Sequence, residues 1–223
     1  MPLTPIEGQP GLFRDSDTGQ IVNIRDFRES DLYDTILIPA TEIPAPPAVP
    51  TGITPGTQFI FFQDVQGKRE SDTNLKTPRK LSAGESMVLD RIGLYFRLAT
   101  GNIVTVPRDI KKVVDNAFYR LKINDILQDS GPAIKFPSGF GLYGQTTETD
   151  AGIVSLGVPA TASAARLVKK QMLNQNHELD GVLEFTARTW LAALGLTYEN
   201  PIIEQPLLVT NYLHGLFRAA VTK

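Results

Sequence analysis

The chain has 223 residues, 42% of them hydrophobic, enough to bury one large all-β domain or two small ones. Its 22 basic and 24 acidic residues leave a net charge of −2, so no global basic field exists to draw in nucleic acid or an anionic membrane. The absence of cysteine excludes disulfides, thiolate metal sites and a cysteine nucleophile. No apolar run of about 18 residues and no basic-then-apolar leader is visible, from which a soluble chain with no membrane insertion is expected.

Residues 1–55 differ from the remainder and are read as an N-terminal arm, with 56–223 as the β domain. The clearest part of the arm is Pro39 to Pro55, where Pro44, Pro46, Pro47 and Pro50 favour extended or polyproline II backbone and forbid a central strand or helix. Three basic residues stand against eight acidic ones in 1–55, and 19 against 16 in the rest. An acidic arm cannot neutralise phosphates, so strong nucleic-acid binding is not expected of it. It either lies along its own body or a neighbour, with Ile36, Leu37 and Ile38 as the apolar anchor, or is a solvated tail.

From Thr57 the β pattern begins. Gln58 to Val65 is apolar on both parities, as in a strand covered on two sides, and Gly67 opens a polar loop that runs to Glu85. The following stretch, Ser86 to Leu98, organises the chain. Ile92, Leu94, Phe96 and Leu98 alternate with Arg91, Gly93, Tyr95 and Arg97, as a half-buried strand requires. Gly101 and Asn102 turn the chain before Ile103 to Val106. Pro107 to Phe118 predicts a short surface helix: Ile110, Val113, Val114, Ala117 and Phe118 fall on one face, Asp109 caps the start, and Arg108, Lys111 and Lys112 form the solvated side.

Tyr119, Leu121 and Ile123 restore the strand period, and residues 129–159 read as loops. For Ala160 to Met172 helix and strand both remain open. Alternation resumes over Leu183, Phe185, Ala187 and Leu191, and again over Leu207, Val209, Leu213, Phe217, Ala219 and Val221 against Thr210, Tyr212, His214 and Arg218. The pattern as a whole is that of an all-β sandwich.

Each candidate for chemistry has an ordinary structural reading beside it. Gly139 to Gly144 satisfies G-x-G-x-x-G, but no helical period follows it and no βαβ unit surrounds it, so a glycine-rich loop is expected rather than a dinucleotide site. His177 and His214 are the only histidines, too few for a cupin-like metal centre. His214 is expected at a surface or interface. Glu178, Asp180 and Glu184 fit a solvated strand edge better than a glycosidase pair. Trp190 and Tyr198 could form a sugar platform, with core or interface packing as the alternative. No catalytic set, metal or cofactor is assigned, and the chain is not expected to be an enzyme.

Three stretches carry a resemblance. They are Phe61 to Lys68 followed by Thr73-Asn74-Leu75 and Leu81; Lys122 to Gly144 with its Pro137-Ser138-Gly139-Phe140-Gly141 step; and Leu213 to Arg218. In these the chain resembles the jelly-roll major capsid proteins of tailless prokaryotic viruses. The resemblance implies a jelly-roll β-sandwich with an extended N-terminal arm and one or two short helices. It further implies a structural shell protein of the virion, assembled in the host cytoplasm, whose partners are copies of itself and other capsid proteins. The chain is short for two complete rolls, which favours one elaborated roll, and its acidic arm departs from genome-binding types. Contacts between copies are assigned to Ile36, Leu37, Ile38, Pro46, Pro47, Trp190 and His214. The alternative function is a ligand-binding β-sandwich module that takes a carbohydrate or a receptor.

Overall fold

The alternating segments fold into an all-β sandwich. The computed structural model describes residues 3–15, 19, 21–23, 27–41, 52–99, 106–137, 142–143, 155–156, 164–188, 191, 194–195 and 200–219. Its strands are β1 (Leu3–Pro5), β2 (Leu12–Asp15), β3 (Ile21–Asn23), β4 (Arg28–Ile38), β5 (Gln58–Phe61), β6 (Ser86–Leu98), β7 (Ala117–Ile123), β8 (Ile126–Pro132), β9 (Leu142–Tyr143), β10 (Ser155–Leu156), β11 (Ala165–Asn174), β12 (Leu179–Phe185) and β13 (Leu207–Arg218). Helix α1 (Val106–Asn116) lies between β6 and β7, and a 3-10 turn, Ala133–Lys135, follows β8.

Strands β1 to β3 form a small antiparallel meander, and β9 pairs with β10. The other strands make two antiparallel sheets ordered β11-β6-β13-β4 and β5-β12-β7-β8. Within them β4 pairs with β13, β5 with β12, and β7 with β8, while β6 lies between β13 and β11. The two sheets face each other as the layers of a sandwich. Between them lies one core, with Leu89, Ile92, Leu213 and Ile38 from the first sheet meeting Phe61, Leu121, Leu183 and Phe185 from the second. Ile110 and Val113 bring α1 into the same core.

The organising strand runs over Ser86–Leu98 as its alternation requires, with one irregularity. Ile92, Leu94 and Phe96 face the core, but before them it is Met87 and Leu89 that do so, while Val88 joins Phe27 and Met172 in a second cluster on the opposite face. The parity switches at Asp90. On β13, His214 pairs with Arg91 and Gly215 with Leu89, so Asp90 is the extra residue of a β-bulge. Gly215 is what allows it: a Cβ there would sit 2.1 Å from the Val88 carbonyl oxygen.

Several segments depart from the sequence expectation, each for a local reason. Residues Arg28–Ile38, assigned to the arm, form β4 and pair with β13 along their whole length. The strand expected over Gln58 to Val65 stops at Phe61, because Phe62 takes a left-handed φ of 66°. Phe61 and Phe62 are both fully buried because the chain turns between them, not because a second layer covers the strand. Helix α1 ends at Asn116, and Ala117 and Phe118 instead start β7, where pairing with Phe185 and Glu184 takes up their backbone. In place of a loop after Asp129, β8 pairs back on β7 through Asn124 and Asp125, whose φ angles of 50° and 61° make a tight hairpin turn. The Ala160 to Met172 ambiguity resolves as strand β11 from Ala165. Strand β12 ends at Phe185, short of Ala187 and Leu191, and β13 ends at Arg218, short of Ala219. Ile103 to Thr105 and Val221 lie outside the described residues.

Filling the bulge is the sharpest test of this register. Gly215→Ala is expected to lower stability by about 2–3 kcal/mol, the range for overpacking a tight site. The measurement is the urea midpoint at unchanged slope; a wild-type midpoint would mean that the bulge does not require glycine.

Candidate functional site

Strand or helix geometry carries the polar side chains of Asp34, Asn211 and Asp109 fully into the interior. On β4, Asp34 shares the parity of Leu32, Ile36 and Ile38, so it enters the sandwich with them and is fully buried. A buried carboxylate must be paired. Its Oδ2 accepts the Phe62 N–H at 2.7 Å, and the Lys68 ammonium donates to both oxygens at 2.8 and 2.9 Å. The Phe62 carbonyl in turn accepts the Arg79 N–H at 2.7 Å. Asp34 thereby fastens both arms of the loop that leaves β5 to the first sheet.

Asn211 is the second. It has the inward parity of Val209 and Leu213 on β13, is fully buried, and its Nδ2 donates to the Tyr119 hydroxyl on β7, so one hydrogen bond crosses between the sheets. Gly181 on β12 makes room for the pair, since a Cβ there would lie 2.6 Å from Asn211 Nδ2 and 3.0 Å from the Tyr119 hydroxyl. Burial pushes the Tyr119 hydroxyl well above the ordinary tyrosine range, against the lowering effect of the Asn211 bond.

Asp109 is the third. Expected to cap α1, it instead lies inside the first turn, fully buried, and caps another segment: Oδ2 accepts the Glu204 and Gln205 N–H groups at 3.0 and 2.8 Å. Lys112 donates to Asp109 Oδ1 at 3.2 Å and to the Ile202 carbonyl at 2.6 Å, and Arg108 pairs with Glu204 at 3.3 Å. Of the cations expected on a solvated face, Arg108 and Lys112 thus bind the helix to the segment before β13. Lys111, mostly exposed, pairs with Asp115.

The residues assigned to contacts between copies are scattered. Ile36 and Ile38 are buried in the chain's own core, so they cannot anchor an exchanged arm; this corrects the expectation, and its cause is the pairing of β4 with β13. Leu37, on the opposite parity, is 51% exposed. His214 is buried on the outward side of the first sheet, its Nδ1 2.7 Å from Asp31 Oδ1 and its ring stacked on Tyr212 with centroids 6.0 Å apart. Asp31, His214 and Arg91 stand opposite one another across β4, β13 and β6. Pro46, Pro47 and Trp190 lie outside the described residues, as do Tyr198 and the three glycines of the G-x-G-x-x-G stretch, Gly139, Gly141 and Gly144.

The other candidates are engaged in the fold. His177 Nδ1 accepts the Asn174 N–H at 3.0 Å, which closes the turn between β11 and β12. Glu178 pairs with Lys80 at 3.0 Å, Asp180 with Arg79 at 3.1 Å, and Glu184 with Arg120, so each acid has its own cation. The Lys80 ammonium holds the Glu178 carboxyl below its usual range. Among the described residues no group of three or more histidines or acids is placed to hold a metal ion. No described helix is long and apolar enough to cross a membrane. The sequence reading missed Asp34 and Asn211, whose signal is a polar residue at a core position of an otherwise alternating strand. No protein-family model, curated protein or solved structure matches the chain.

Two outcomes follow from these buried groups. Asp34→Ala leaves the Phe62 N–H and the Lys68 ammonium without their acceptor and is expected to cost about 3–5 kcal/mol in denaturant unfolding; a loss below about 1 kcal/mol would assign the pair to the solvated surface. The raised Tyr119 pKa is a stability statement: the unfolded chain loses this proton near pH 10 while the folded chain keeps it, so stability present below pH 10 is lost as pH rises further. Tyr119→Phe should flatten the alkaline limb of the stability profile by about 1.4 kcal/mol per pH unit. An unchanged limb would place Tyr119 in contact with water.

Proposed function

We propose that the chain is a structural shell subunit: a single jelly roll that self-assembles with copies of itself and with other capsid proteins into a virion and has no catalytic role. The observation that carries this reading is the strand order. Two antiparallel sheets ordered β11-β6-β13-β4 and β5-β12-β7-β8 are what results when an eight-stranded hairpin is rolled into a double Greek key, the arrangement of a jelly roll. A fold supports many functions, so the polar interior matters as well. Asp34, Asn211 and Asp109 are consumed by ties within the fold, the use expected of a rigid building block.

The N-terminal meander supports the same reading. From residue 3 to residue 23 none of the described side chains is buried, whereas Phe27, just beyond, packs on Val88 and Met172. A three-stranded sheet whose described side chains are at most half-buried gains stability when something covers it. In a shell the neighbouring copy would do so, which moves the exchanged arm upstream of Phe27 and leaves β4 in the body.

Light scattering and negative-stain microscopy across a concentration series test the proposal. The full chain should form closed or lattice-like particles, and a variant lacking residues 1–26 should keep its circular dichroism while assembling more weakly. Removing residues 1–55 deletes β4 and should abolish folding. If the full chain and the 1–26 deletion both remain strict monomers at high concentration, the shell reading fails.

A further inference from the structure

Every open sheet presents edge strands whose outer row of N–H and C=O groups invites another chain to pair. Strand β8 is such an edge. Its register sets Ser130 opposite Arg120 and Pro132 opposite Phe118, so these two residues turn their backbone groups to the same side. The Ser130 N–H donates to Asp129 Oδ1 at 2.7 Å, and the Ser130 carbonyl accepts from Lys135 Nζ at 3.0 Å. Because side chains take both groups, this is the row that faces away from β7. Pro132, next along that row, has no N–H to offer. Nearer the hairpin turn, the Ile126 carbonyl accepts from Gln128 Nε2 at 3.1 Å.

The position of Lys135 is built rather than incidental. Its ammonium pairs with Asp129 and lies 5.0 Å over the Phe136 ring, and its stem crosses β8 at Gly131, where a Cβ would come within 2.6 Å of Lys135 Cδ. Strand β4, an edge of the other sheet, is treated the same way by Asn74. Its Oδ1 accepts the Tyr33 N–H at 2.9 Å, its own N–H donates to the Tyr33 carbonyl at 3.3 Å, and its Nδ2 donates to the Asp31 carbonyl at 2.7 Å. On β11 the ladder breaks between Arg166 and Gln171, and the excluded stretch carries Lys169 and Lys170.

We infer that the β8 and β4 edges of the sandwich are sealed against edge-to-edge pairing, with Asp129 and Lys135 occupying the outer row of β8 and Asn74 that of β4, so that copies of this chain do not associate by extending a sheet at either edge. The inference holds whether or not the chain builds a shell, because a monomer has the same open edges to protect.

The test is the full chain carrying Asp129→Ala with Lys135→Ala, compared with wild type. Amide exchange at Ser130 should accelerate about tenfold, the equivalent of one lost charge-assisted hydrogen bond. Thioflavin-positive, elongated species that grow with concentration should appear in microscopy, where wild type gives none. Lys135→Met keeps the stem over Gly131 and leaves the Ser130 N–H on Asp129, while it removes the ammonium from the Ser130 carbonyl, Asp129 and the Phe136 ring, so it carries the same test, read from the elongated species, if the double variant does not fold. Unchanged Ser130 exchange in the double variant, or a folded variant that forms no elongated species, overturns the inference. Failure of the shell reading would appear in wild type itself and failure of the sealed edge only in the difference between wild type and variant.

Discussion

The fold depends on where β13 goes. This last strand of the sandwich lies between β4 and β6 and pairs antiparallel with both, so the first sheet is complete only when a segment beyond Leu207 inserts between strands that precede it by more than a hundred residues. Such pairing is non-local and gains nothing until the loop is closed. Register is therefore critical. A slip of one residue would turn Asn211 outward and drive Tyr212 and His214 into the core. Asn211 guards against this, because its hydrogen bond to Tyr119 is available only when β13 is in register and Gly181 faces the gap.

The same logic explains why charges are tolerated inside. Buried ion pairs contribute little net stability compared with a well-packed apolar substitute, but breaking one partner is costly, so what they secure is a particular arrangement. Asp34 with Lys68 selects the path of the loop leaving β5, and Asp109 with Lys112 selects the path of the segment entering β13. Both segments lack a ladder of their own. Each buried carboxylate supplies fixed acceptors where a strand partner would otherwise be, and the irregular parts of the roll thereby become as determined as its sheets.

Period was the legible part of the sequence, and parity at its breaks was not. The run Ser86 to Leu98 reads as a strand because Ile92, Leu94 and Phe96 keep strict alternation, yet the switch at Asp90 is invisible without knowing that Gly215 will lie opposite it. Residues 28 to 38 read as arm from the prolines that follow and from the acidity to which Asp31 and Asp34 contribute. Their partners, His214 and Lys68, are distant in the chain. The hairpin at Asn124-Asp125 did carry a local signal, two residues that tolerate left-handed backbone, and the turn chemistry of that pair was overlooked. Among the candidate contact residues, His214 has in common with Ile36 and Ile38 that its partners lie within the same chain.

Sealed edges are compatible with the proposed shell subunit, and the two together narrow how copies would meet. With the backbone rows of β8 and β4 occupied, copies in such a shell would meet there through side chains, where shape and charge set the angle between neighbours in a way that a sheet extension, with its fixed twist, does not allow. The outward side of the first sheet is already partly covered. Phe27 packs on Val88 at one end, and at the other the loop tip reaches over it, with Asp72 bound to Arg97 at 2.8 Å and the Glu70 carbonyl to the Tyr33 hydroxyl. Tyr33 and Tyr212 lie between these covers with ring centroids 5.7 Å apart, and partial burial raises the Tyr212 hydroxyl above its ordinary range. Among the described residues, exposed apolar side chains include Leu37 on β4, Ile126 and Leu127 on β8, Ile134 just after it and Val168 on β11. If copies met through such side chains, each contact would be weak, and the proposed lattice would gain its stability from their number. In that reading the N-terminal meander, whose described side chains are at most half-buried, is the element best placed to add to that number without altering the core.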